Sequence, residues 1–213
     1  MNRCAMTLAF KNPAVSVLRA LGVALLPACL LLTACGGPGA ATVDYPLAGA
    51  KIGGPFTLID KSGKTVRWSD FDGHYRIVYF GYTFCPDACP TDVAVAMRGL
   101  DIYAKTHGAQ ADALRPIFIS IDPARDTPQV VGQFAAAFSP RLIGLTGTPQ
   151  QVDAAAKAFA AYYARGKDSA DGGYLMDHSR SAFLMAPNGD PITMLPVDRG
   201  PQAVADDLAK WIK

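Results

Sequence analysis

Alternating apolar and polar segments predict an ordered series of strands and helices from about residue 53 onward. Two nearly continuous apolar runs, at 76–82 and 116–122, predict strands that are buried on both faces. Apolar residues at helical spacing after Pro90 predict the first helix, and threonines before prolines predict two further helix starts, at Asp126 or Thr127 and at Thr148. The predicted strands are 56–60, 65–68, 76–82, 116–122, 141–145, 181–186 and 192–197, and the predicted helices are 90–107, 127–138, 148–163 and 201–212.

This order of elements predicts an α/β protein with a thioredoxin-like fold. Strand, helix, strand and helix are followed by a β-hairpin around the turn at 187–190 and by a closing helix. The strand pair at 56–68 is predicted to be an N-terminal β-hairpin extension, and one middle helix is predicted to be an insertion. The polar, glycine-containing segment 164–173 predicts a loop. No internal repeat divides the chain, so we expect a single domain over 53–213.

The first 35 residues have the layout of an export signal. A basic stretch that ends at Arg19 precedes an apolar run at 21–32, which is shorter than the about 20 residues of a bilayer span. The run ends in Leu-Thr-Ala-Cys-Gly at 32–36, which resembles the lipobox of bacterial lipoproteins. We therefore predict cleavage before Cys35, lipidation of Cys35 and a flexible tether over 36–52. An ordinary cleavage site and an uncleaved anchor are the alternatives.

The charge of the predicted domain argues against one class of partner. The 213-residue chain has a formal net charge of +2. The first 35 residues contain Arg3, Lys11 and Arg19 and no acid, so 17 of the 20 basic residues remain against all 18 acids. Nucleic-acid-binding domains usually carry a basic face, so a nearly neutral domain predicts no nucleic-acid partner.

The five cysteines divide between the export signal and the domain. Cys4 and Cys29 leave with the signal, and Cys35 is the predicted lipid attachment site, so the domain keeps Cys85 and Cys89. These two residues follow a central strand and precede a helix, a position where α/β proteins bind ligands and where a helix N-terminus stabilises thiolates. The pair is therefore a disulfide, a redox pair or part of a metal site.

The Cys-x-x-x-Cys spacing favours metal binding over a disulfide. Residues four apart on a helix have Cβ atoms about 5–6 Å apart, whereas a disulfide requires about 3.5–4.5 Å. Two sulfurs on one trigonal ion lie about 4 Å apart, which this spacing meets with less distortion. Because Cys85 precedes the regular helix, a disulfide stays open as an alternative.

The chemistry of two thiolates indicates copper, with histidine as the third ligand. Thiolates are soft ligands that favour Cu(I), whereas structural zinc normally takes four protein ligands. The chain has three histidines, of which His74 lies in a predicted turn and His107 at a predicted helix end. His178 directly precedes a strand whose entry loop faces the thiols in a thioredoxin-like fold. From its position alone, a surface loop residue explains His178 equally well.

Several motifs in a fixed order resemble the Sco (SenC) family of copper proteins. They are Phe80-Gly-Tyr-Thr-Phe-Cys-Pro-Asp-Ala-Cys-Pro90, Ile121-Asp-Pro-Ala-Arg-Asp-Thr-Pro128, Ile143-Gly-Leu-Thr-Gly-Thr148 and Tyr174-Leu-Met-Asp-His-Ser179. The resemblance covers the chain from about Gly53 to its C-terminus. It implies a thioredoxin-like domain that binds one Cu(I) or Cu(II) ion through Cys85, Cys89 and His178. It also implies copper delivery to the binuclear CuA centre of cytochrome c oxidase during assembly.

Three functions follow as hypotheses. The first is a metallochaperone, lipid-anchored at the inner membrane and facing the periplasm, whose partner is the copper-binding subunit of cytochrome c oxidase or another copper chaperone. The second is a thiol–disulfide oxidoreductase of the cell envelope that uses Cys85 and Cys89 as a catalytic pair, although thioredoxin-type reductants usually have Cys-x-x-Cys. The third, a structural lipoprotein with a disulfide, leaves the other motifs unexplained.

Residues around the predicted ligands carry weaker signals. Asp177 is predicted to orient His178 through its second ring nitrogen, with a solvated loop acid as the alternative. Arg180 departs from the smaller or apolar residue that the resemblance implies there, and we expect it to alter the rim of the site. The segment 122–126 is interpreted as a turn followed by a helix cap rather than as a partner-binding motif.

Overall fold

A computed structural model describes residues 44–168 and 173–213, and these residues form a layered α/β domain. The strands are β1 (Thr57–Ile59), β2 (Thr65–Arg67), β3 (Tyr75–Gly81), β4 (Leu114–Ser120), β5 (Ile143–Leu145), β6 (Tyr163–Asp168), β7 (Tyr174–His178), β8 (Ala182–Met185) and β9 (Pro191–Met194). The helices are α1 (Ala88–Ala104), α2 (Gly108–Asp112), α3 (Pro128–Phe138), α4 (Pro149–Ala158) and α5 (Pro201–Trp211).

The centre of the domain is a five-stranded mixed sheet in the order β5-β4-β3-β8-β9. Strands β3, β4 and β5 are parallel neighbours, whereas β8 and β9 run antiparallel to their neighbours. This topology confirms the predicted thioredoxin-like fold. The antiparallel pair of β1 and β2 confirms the N-terminal hairpin extension. Helices α3 and α4, with β5 between them, precede the final hairpin and include the predicted extra helix.

Both central strands are buried because helices cover the sheet. In β3 every residue after Tyr75 is buried, and β4 is buried at all positions but one, as the continuous apolar runs predict. Helices α1 and α5 pack closely enough that a Cβ atom on Gly99 would lie 2.6 Å from the Cβ of Val204. Glycine at this position therefore allows the two helices to approach each other.

Helix starts follow the capping signals in the sequence. The side chain of Thr127 accepts a hydrogen bond from the Val130 N–H, and that of Thr148 accepts one from the Gln151 N–H, which confirms both predicted starts. Helix α1 begins at Ala88, two residues before the predicted start. Its first turn therefore includes the second cysteine.

The predicted loop at 164–173 is wrong for its first half. Residues 163–168 form β6, which pairs antiparallel with β7 in a two-stranded ribbon separate from the main sheet. Most side chains of β6 are at least partly exposed, so polar residues occupy it without the alternation that marks a half-buried strand. Helix α4 correspondingly ends at Ala158 rather than near residue 163.

The folded domain begins before the predicted boundary at residue 53. The Leu47 N–H donates to the Ile192 carbonyl oxygen, and the Tyr45 ring lies edge-on to Trp211 at 6.0 Å. Residues 44–52 of the predicted tether therefore belong to the domain, because their apolar side chains are partly buried against its core.

The predicted signal peptide and Cys35 lie outside the described residues. Within the part of the chain that the structure describes, no helix combines the length and apolar character that a membrane span requires. The export signal and the lipid anchor stay predictions from the sequence.

Candidate metal centre

Three side chains converge at the carboxyl end of β3. The ligand atoms of Cys85, Cys89 and His178 all lie within 4.8 Å of one another. Among residues 44–168 and 173–213, no other group of three or more Cys, His, Asp or Glu side chains has this geometry. His74 and His107 do not take part in the group. The structure therefore brings together the three residues that the sequence predicts as ligands.

The two cysteines are held by the junction between β3 and α1. Cys85 lies in the turn between them, where its N–H donates to the Tyr82 carbonyl oxygen, and Cys89 lies in the first turn of α1. The Cys89 N–H donates to the Cys85 sulfur at 3.3 Å, and both thiols are free. Gly81 lies beneath them, because a Cβ atom there would come within 2.9 Å of the Cys89 sulfur. The last residue of β3 therefore leaves space for the second thiol.

The two thiols differ in their acid–base properties. Burial acts to raise the pKa of Cys85, but hydrogen bonds from the backbone of Cys89, Asp87 and Ala88 outweigh it and bring the pKa below its ordinary value. Burial raises the pKa of the Cys89 thiol well above its ordinary value, and the neighbouring Cys85 adds to the shift. Cys85 is therefore the more nucleophilic sulfur of the pair in the absence of metal.

His178 presents its Nε2 atom to the thiols from the end of β7. This atom lies 3.1 Å from the Cys89 sulfur, while Nδ1 lies 2.9 Å from the carbonyl oxygen of Ser179. A carbonyl oxygen can only accept, so Nδ1 donates its proton there and Nε2 is the ring atom placed to coordinate a metal ion between the thiols. The prediction that Asp177 orients the ring is corrected here, because Asp177 is exposed and a backbone carbonyl takes the Nδ1 position.

Aromatic rings form the walls around His178. The rings of Tyr79 and Tyr82 meet the imidazole edge-on, at centroid distances of 6.2 and 5.9 Å. Tyr79 lies on β3, and Tyr82 directly follows the last residue of that strand. Both rings are buried, so they limit the orientations available to the imidazole and exclude water behind it.

An ion pair lies beside the three ligands. Both oxygens of the Asp92 carboxylate accept hydrogen bonds from Arg180, at 2.6 and 3.0 Å, and one also accepts the Tyr79 hydroxyl at 2.9 Å. Sequence reasoning identified Arg180 as unusual but did not identify Asp92, which looks like an ordinary helix residue in the sequence. Arg180 thereby contacts α1 beside the three side chains.

Comparison with known proteins shows the family of the chain. The SCO1/SenC family profile matches residues 45–213, which is most of the sequence. The chain belongs to the SCO1/SenC family. Protein SenC of Rhodobacter capsulatus is 44% identical over 165 residues, which make up 78% of this chain and 72% of SenC. The chain spans about half the length of mitochondrial relatives, with 51% of an Arabidopsis thaliana SCO1 homologue and 46% of the human one covered.

Solved SCO1/SenC structures share the fold. ScoI from Arabidopsis thaliana with copper bound is 36% identical with a TM-score of 0.68, over 75% of this chain and 96% of that one. ScoI from Bradyrhizobium japonicum with copper bound is 35% identical with the same TM-score of 0.68, over 76% and 99%. BsSco is described as a member of the Sco family of cytochrome c oxidase assembly proteins with a disulfide switch. It is 26% identical with a TM-score of 0.56, over 74% and 91%.

A second cluster ties the ribbon of this SCO1/SenC domain to the cysteine turn. The Arg125 guanidinium lies 3.6 Å from the centroid of the Tyr174 ring and 4.9 Å from that of Phe84, the residue before Cys85. The Tyr174 hydroxyl donates to Asp122 at 2.8 Å, and Arg125 also bonds this carboxylate. These contacts join β7 to the β4–α3 loop.

Asp126 anchors the start of the cysteine turn. It is fully buried and accepts hydrogen bonds from the Thr83 N–H, the Thr83 hydroxyl and the Ser120 hydroxyl. Burial raises the pKa of Asp126 against the effect of these donors. The interpretation of 122–126 as a turn and a helix cap is therefore incomplete. Through Asp126 and Arg125, the segment also contacts the cysteine turn and the strand that carries His178.

Proposed function

We propose that the protein is a copper metallochaperone that delivers copper to the CuA centre of cytochrome c oxidase during its assembly. The convergence of Cys85, Cys89 and His178 within 4.8 Å carries this proposal. Membership of the SCO1/SenC family and the likeness to two ScoI structures with copper bound support it. The recipient is the copper-binding oxidase subunit or another copper chaperone.

The donor set fits a single copper ion, in either oxidation state. Two thiolate sulfurs are suitable ligands for Cu(I), and the imidazole nitrogen makes the same site suitable for Cu(II). At nitrogen and sulfur ligand distances of about 2.0 and 2.3 Å, two ligands of a trigonal ion lie about 3.7 Å apart. The 3.1 Å between the Cys89 sulfur and the His178 Nε2 thus requires only a small outward movement to admit the ion.

The accessibility of the ligands suits copper transfer. Cys85 and His178 are half-buried and Cys89 is buried. Three protein ligands leave a coordination position for an incoming ligand of the recipient, so copper can pass by ligand exchange without first becoming free. Phe84, directly before Cys85, and Leu175, three residues before His178, are exposed and provide apolar surface for such contact.

We further propose that the domain is tethered to the inner membrane through a lipid on Cys35 and faces the periplasm. The lipobox-like sequence after a short apolar run supports this location.

A thiol–disulfide oxidoreductase is the second candidate function. The difference in thiol pKa between Cys85 and Cys89 favours it, as does the likeness to BsSco. The Cys85 thiolate attacks a target disulfide, which forms a mixed disulfide and releases one target thiolate. Cys89 then attacks the Cys85 sulfur, which forms the internal disulfide and releases the second target thiol. Two electrons pass to the target, and such a step serves copper delivery when it reduces the recipient's cysteines.

Copper titration tests the first proposal. The purified protein is titrated with Cu(I) and Cu(II), and bound metal is measured by elemental analysis and absorption. We expect one ion per chain in the wild type and none in a Cys85→Ser, Cys89→Ser double variant. Stoichiometric copper in the double variant, or none in the wild type, contradicts the proposal.

A further inference from the structure

An ion pair joins the segment that carries His178 to the helix that carries Cys89. Arg180 is two residues after His178, and Asp92 is three residues after Cys89, one helical turn along α1. The Arg180 guanidinium binds the Asp92 carboxylate with two hydrogen bonds, through Nε at 3.0 Å and Nη2 at 2.6 Å. This two-pronged geometry fixes the orientation of both side chains. We call the Arg180–Asp92 pair the latch.

The two partners of the latch lie in different surroundings. The Asp92 side chain is 1% exposed, whereas that of Arg180 is 53% exposed. A buried carboxylate requires partners, and those that the structure shows for Asp92 are Arg180 and the Tyr79 hydroxyl. The buried Asp92 carboxylate therefore binds Arg180 and holds the end of β7 close to α1.

The latch also acts on the walls of the site. Tyr79 donates to Asp92 through its hydroxyl, and its ring meets the His178 imidazole edge-on at 6.2 Å. On the other side, the Ser179 N–H donates to the Tyr162 carbonyl oxygen, and the Ser179 carbonyl oxygen lies against His178 Nδ1. The residues from His178 to Arg180 are thus fixed at both ends, by the ribbon and by the latch.

We propose that Arg180 and Asp92 are positioning residues for the third copper ligand. This inference rests on the proposed function, and it assigns to the latch the task of holding the His178 Nε2 atom next to the thiols before copper arrives. The two cysteines lie within one turn of chain, so the junction of β3 and α1 sets most of their geometry. His178 is 89 positions from Cys89 in sequence and depends on tertiary contacts for its place.

The latch therefore affects the two oxidation states of copper unequally. Cu(I) binding relies mainly on the two soft thiolates, whereas Cu(II) gains more from the imidazole nitrogen. When the latch is broken, ordering of His178 takes place at the moment of binding and weakens the Cu(II) complex. Loss of a partner that orients a metal ligand typically lowers metal affinity by about 10–100-fold.

The test compares two latch variants with a control that loses an exposed ion pair. Arg180→Met removes the guanidinium but leaves the Asp92 charge buried. The double variant Asp92→Asn, Arg180→Met also removes that charge and keeps an acceptor for the Tyr79 hydroxyl. It therefore tests loss of the latch without the destabilising effect of an unpaired buried charge. Lys157→Met is the control, because Lys157 pairs with Asp153 on α4 and both side chains are exposed. Affinities for Cu(I) and Cu(II) are measured by competition with chelators.

We expect Cu(II) affinity to fall by about tenfold or more in both latch variants, with Cu(I) affinity changed by less than about threefold. In the metal-free protein, amide hydrogen exchange at Ser179 should rise in both variants and stay unchanged in Lys157→Met. Equal losses of Cu(I) and Cu(II) affinity indicate a general structural defect and overturn the inference. Wild-type Cu(II) affinity in the double variant also overturns it and leaves the proposed function intact, whereas a wild-type protein without copper binding overturns both.

Discussion

Each ligand side chain brings a different property to the site. Cys85 is half-buried with a lowered thiol pKa, Cys89 is buried with a raised one, and His178 supplies a ring nitrogen whose direction is set by the Ser179 carbonyl oxygen. Copper binding removes protons from both thiols, so it overcomes the cost of a buried thiolate at Cys89. The structure thus combines a half-buried sulfur suited to exchange with a fully buried sulfur suited to retention.

The contribution of the imidazole is tested by His178→Ala. The variant loses one donor of three, and we expect Cu(II) affinity to fall by at least about 100-fold. This loss is larger than the one usually caused by removing a residue that only orients a metal ligand. The capacity of the two cysteines to form and exchange a disulfide should persist within a small factor, because neither thiol is altered. Chelator competition and thiol exchange assays measure the two quantities.

His74→Ala is the matched control for this prediction, because it removes a histidine outside the cysteine–histidine group. It should keep wild-type Cu(II) affinity. Full Cu(II) binding and full oxidase assembly in His178→Ala would show that His178 is not a ligand and would place the oxidoreductase function first.

The difference between the two thiols predicts selective alkylation of the metal-free protein. A lowered pKa gives Cys85 more thiolate near neutral pH, whereas Cys89 is buried and protonated there. Iodoacetamide should therefore modify Cys85 at least about tenfold faster than Cys89 at pH 7. The midpoint of the Cys85 rate against pH should lie below that of a free cysteine. Peptide mapping by mass spectrometry resolves the two sites, and faster labelling of Cys89 contradicts the assignment.

At the scale of elements, the site depends on the junction of β3 and α1. Strand β3 ends at Gly81 below the thiols, and α1 begins at Ala88, so the turn between them places Cys85 outside the helix and Cys89 within it. Asp126 holds this turn through Thr83, and the Arg125–Tyr174 contact connects it to the ribbon that carries His178. Three separate segments therefore meet around one ion site.

The space below the thiols is tested by Gly81→Ala. The added methyl group would lie 2.9 Å from the Cys89 sulfur and 3.0 Å from Phe118 and Tyr79, so one of them must move. We expect the free energy of unfolding to fall by about 1–3 kcal/mol, as for other overpacked cores. Copper affinity should fall as well, because the shortest of these contacts is with the sulfur of Cys89, a proposed ligand. Denaturant unfolding and copper competition measure both effects.

Gly108→Ala serves as the control for this prediction, because a Cβ atom at Gly108 meets nothing within 4 Å. Gly108 starts the short helix α2, so alanine there should leave copper affinity unchanged. A Gly81→Ala variant with wild-type stability and copper affinity would show that the junction tolerates a larger residue.

At the scale of the whole molecule, the domain combines a nearly neutral charge with a site at one end of its sheet. The three residues lie beyond the carboxyl end of β3, the central strand of the sheet, which is the edge where open α/β sheets commonly bind ligands. The N-terminal segment from residue 44 packs on β9 and α5, through Leu47 and Tyr45. The proposed anchor therefore precedes a segment that is part of the folded domain from residue 44.

The anchor is tested by Cys35→Ala in the full chain. Loss of the lipid attachment site should release the mature protein from the membrane fraction or leave an unprocessed precursor of lower gel mobility. Cys29→Ala is the matched control, because it removes a cysteine within the predicted signal and should leave membrane association intact. Unchanged association and mobility in Cys35→Ala would show that residue 35 is not the lipidation site.

Most elements of the fold could be predicted from the sequence because they depend on neighbouring residues. The buried strands follow from continuous apolar runs, and the helix starts at Thr127 and Thr148 follow from side chains that cap their own backbone. The ribbon of β6 and β7 could not be predicted, since its polar residues pair with each other outside the sheet and show no periodic pattern. The ribbon forms because the chain after α4 runs out as β6 and turns back as β7.

One part of the site could also be predicted from the sequence, and another part could not. The sequence by itself determined the cysteine pair, since both thiols lie within one turn of the chain and their spacing sets their geometry. Only the tertiary structure decided that His178 faces them, because Cys89 and His178 are 89 positions apart and are brought together by packing of the ribbon against the sheet. The same is true of the Arg180–Asp92 pair and of the Ser179 carbonyl oxygen that replaces Asp177. A carboxylate on one element and a guanidinium on another become partners only when folding brings them together and buries the carboxylate.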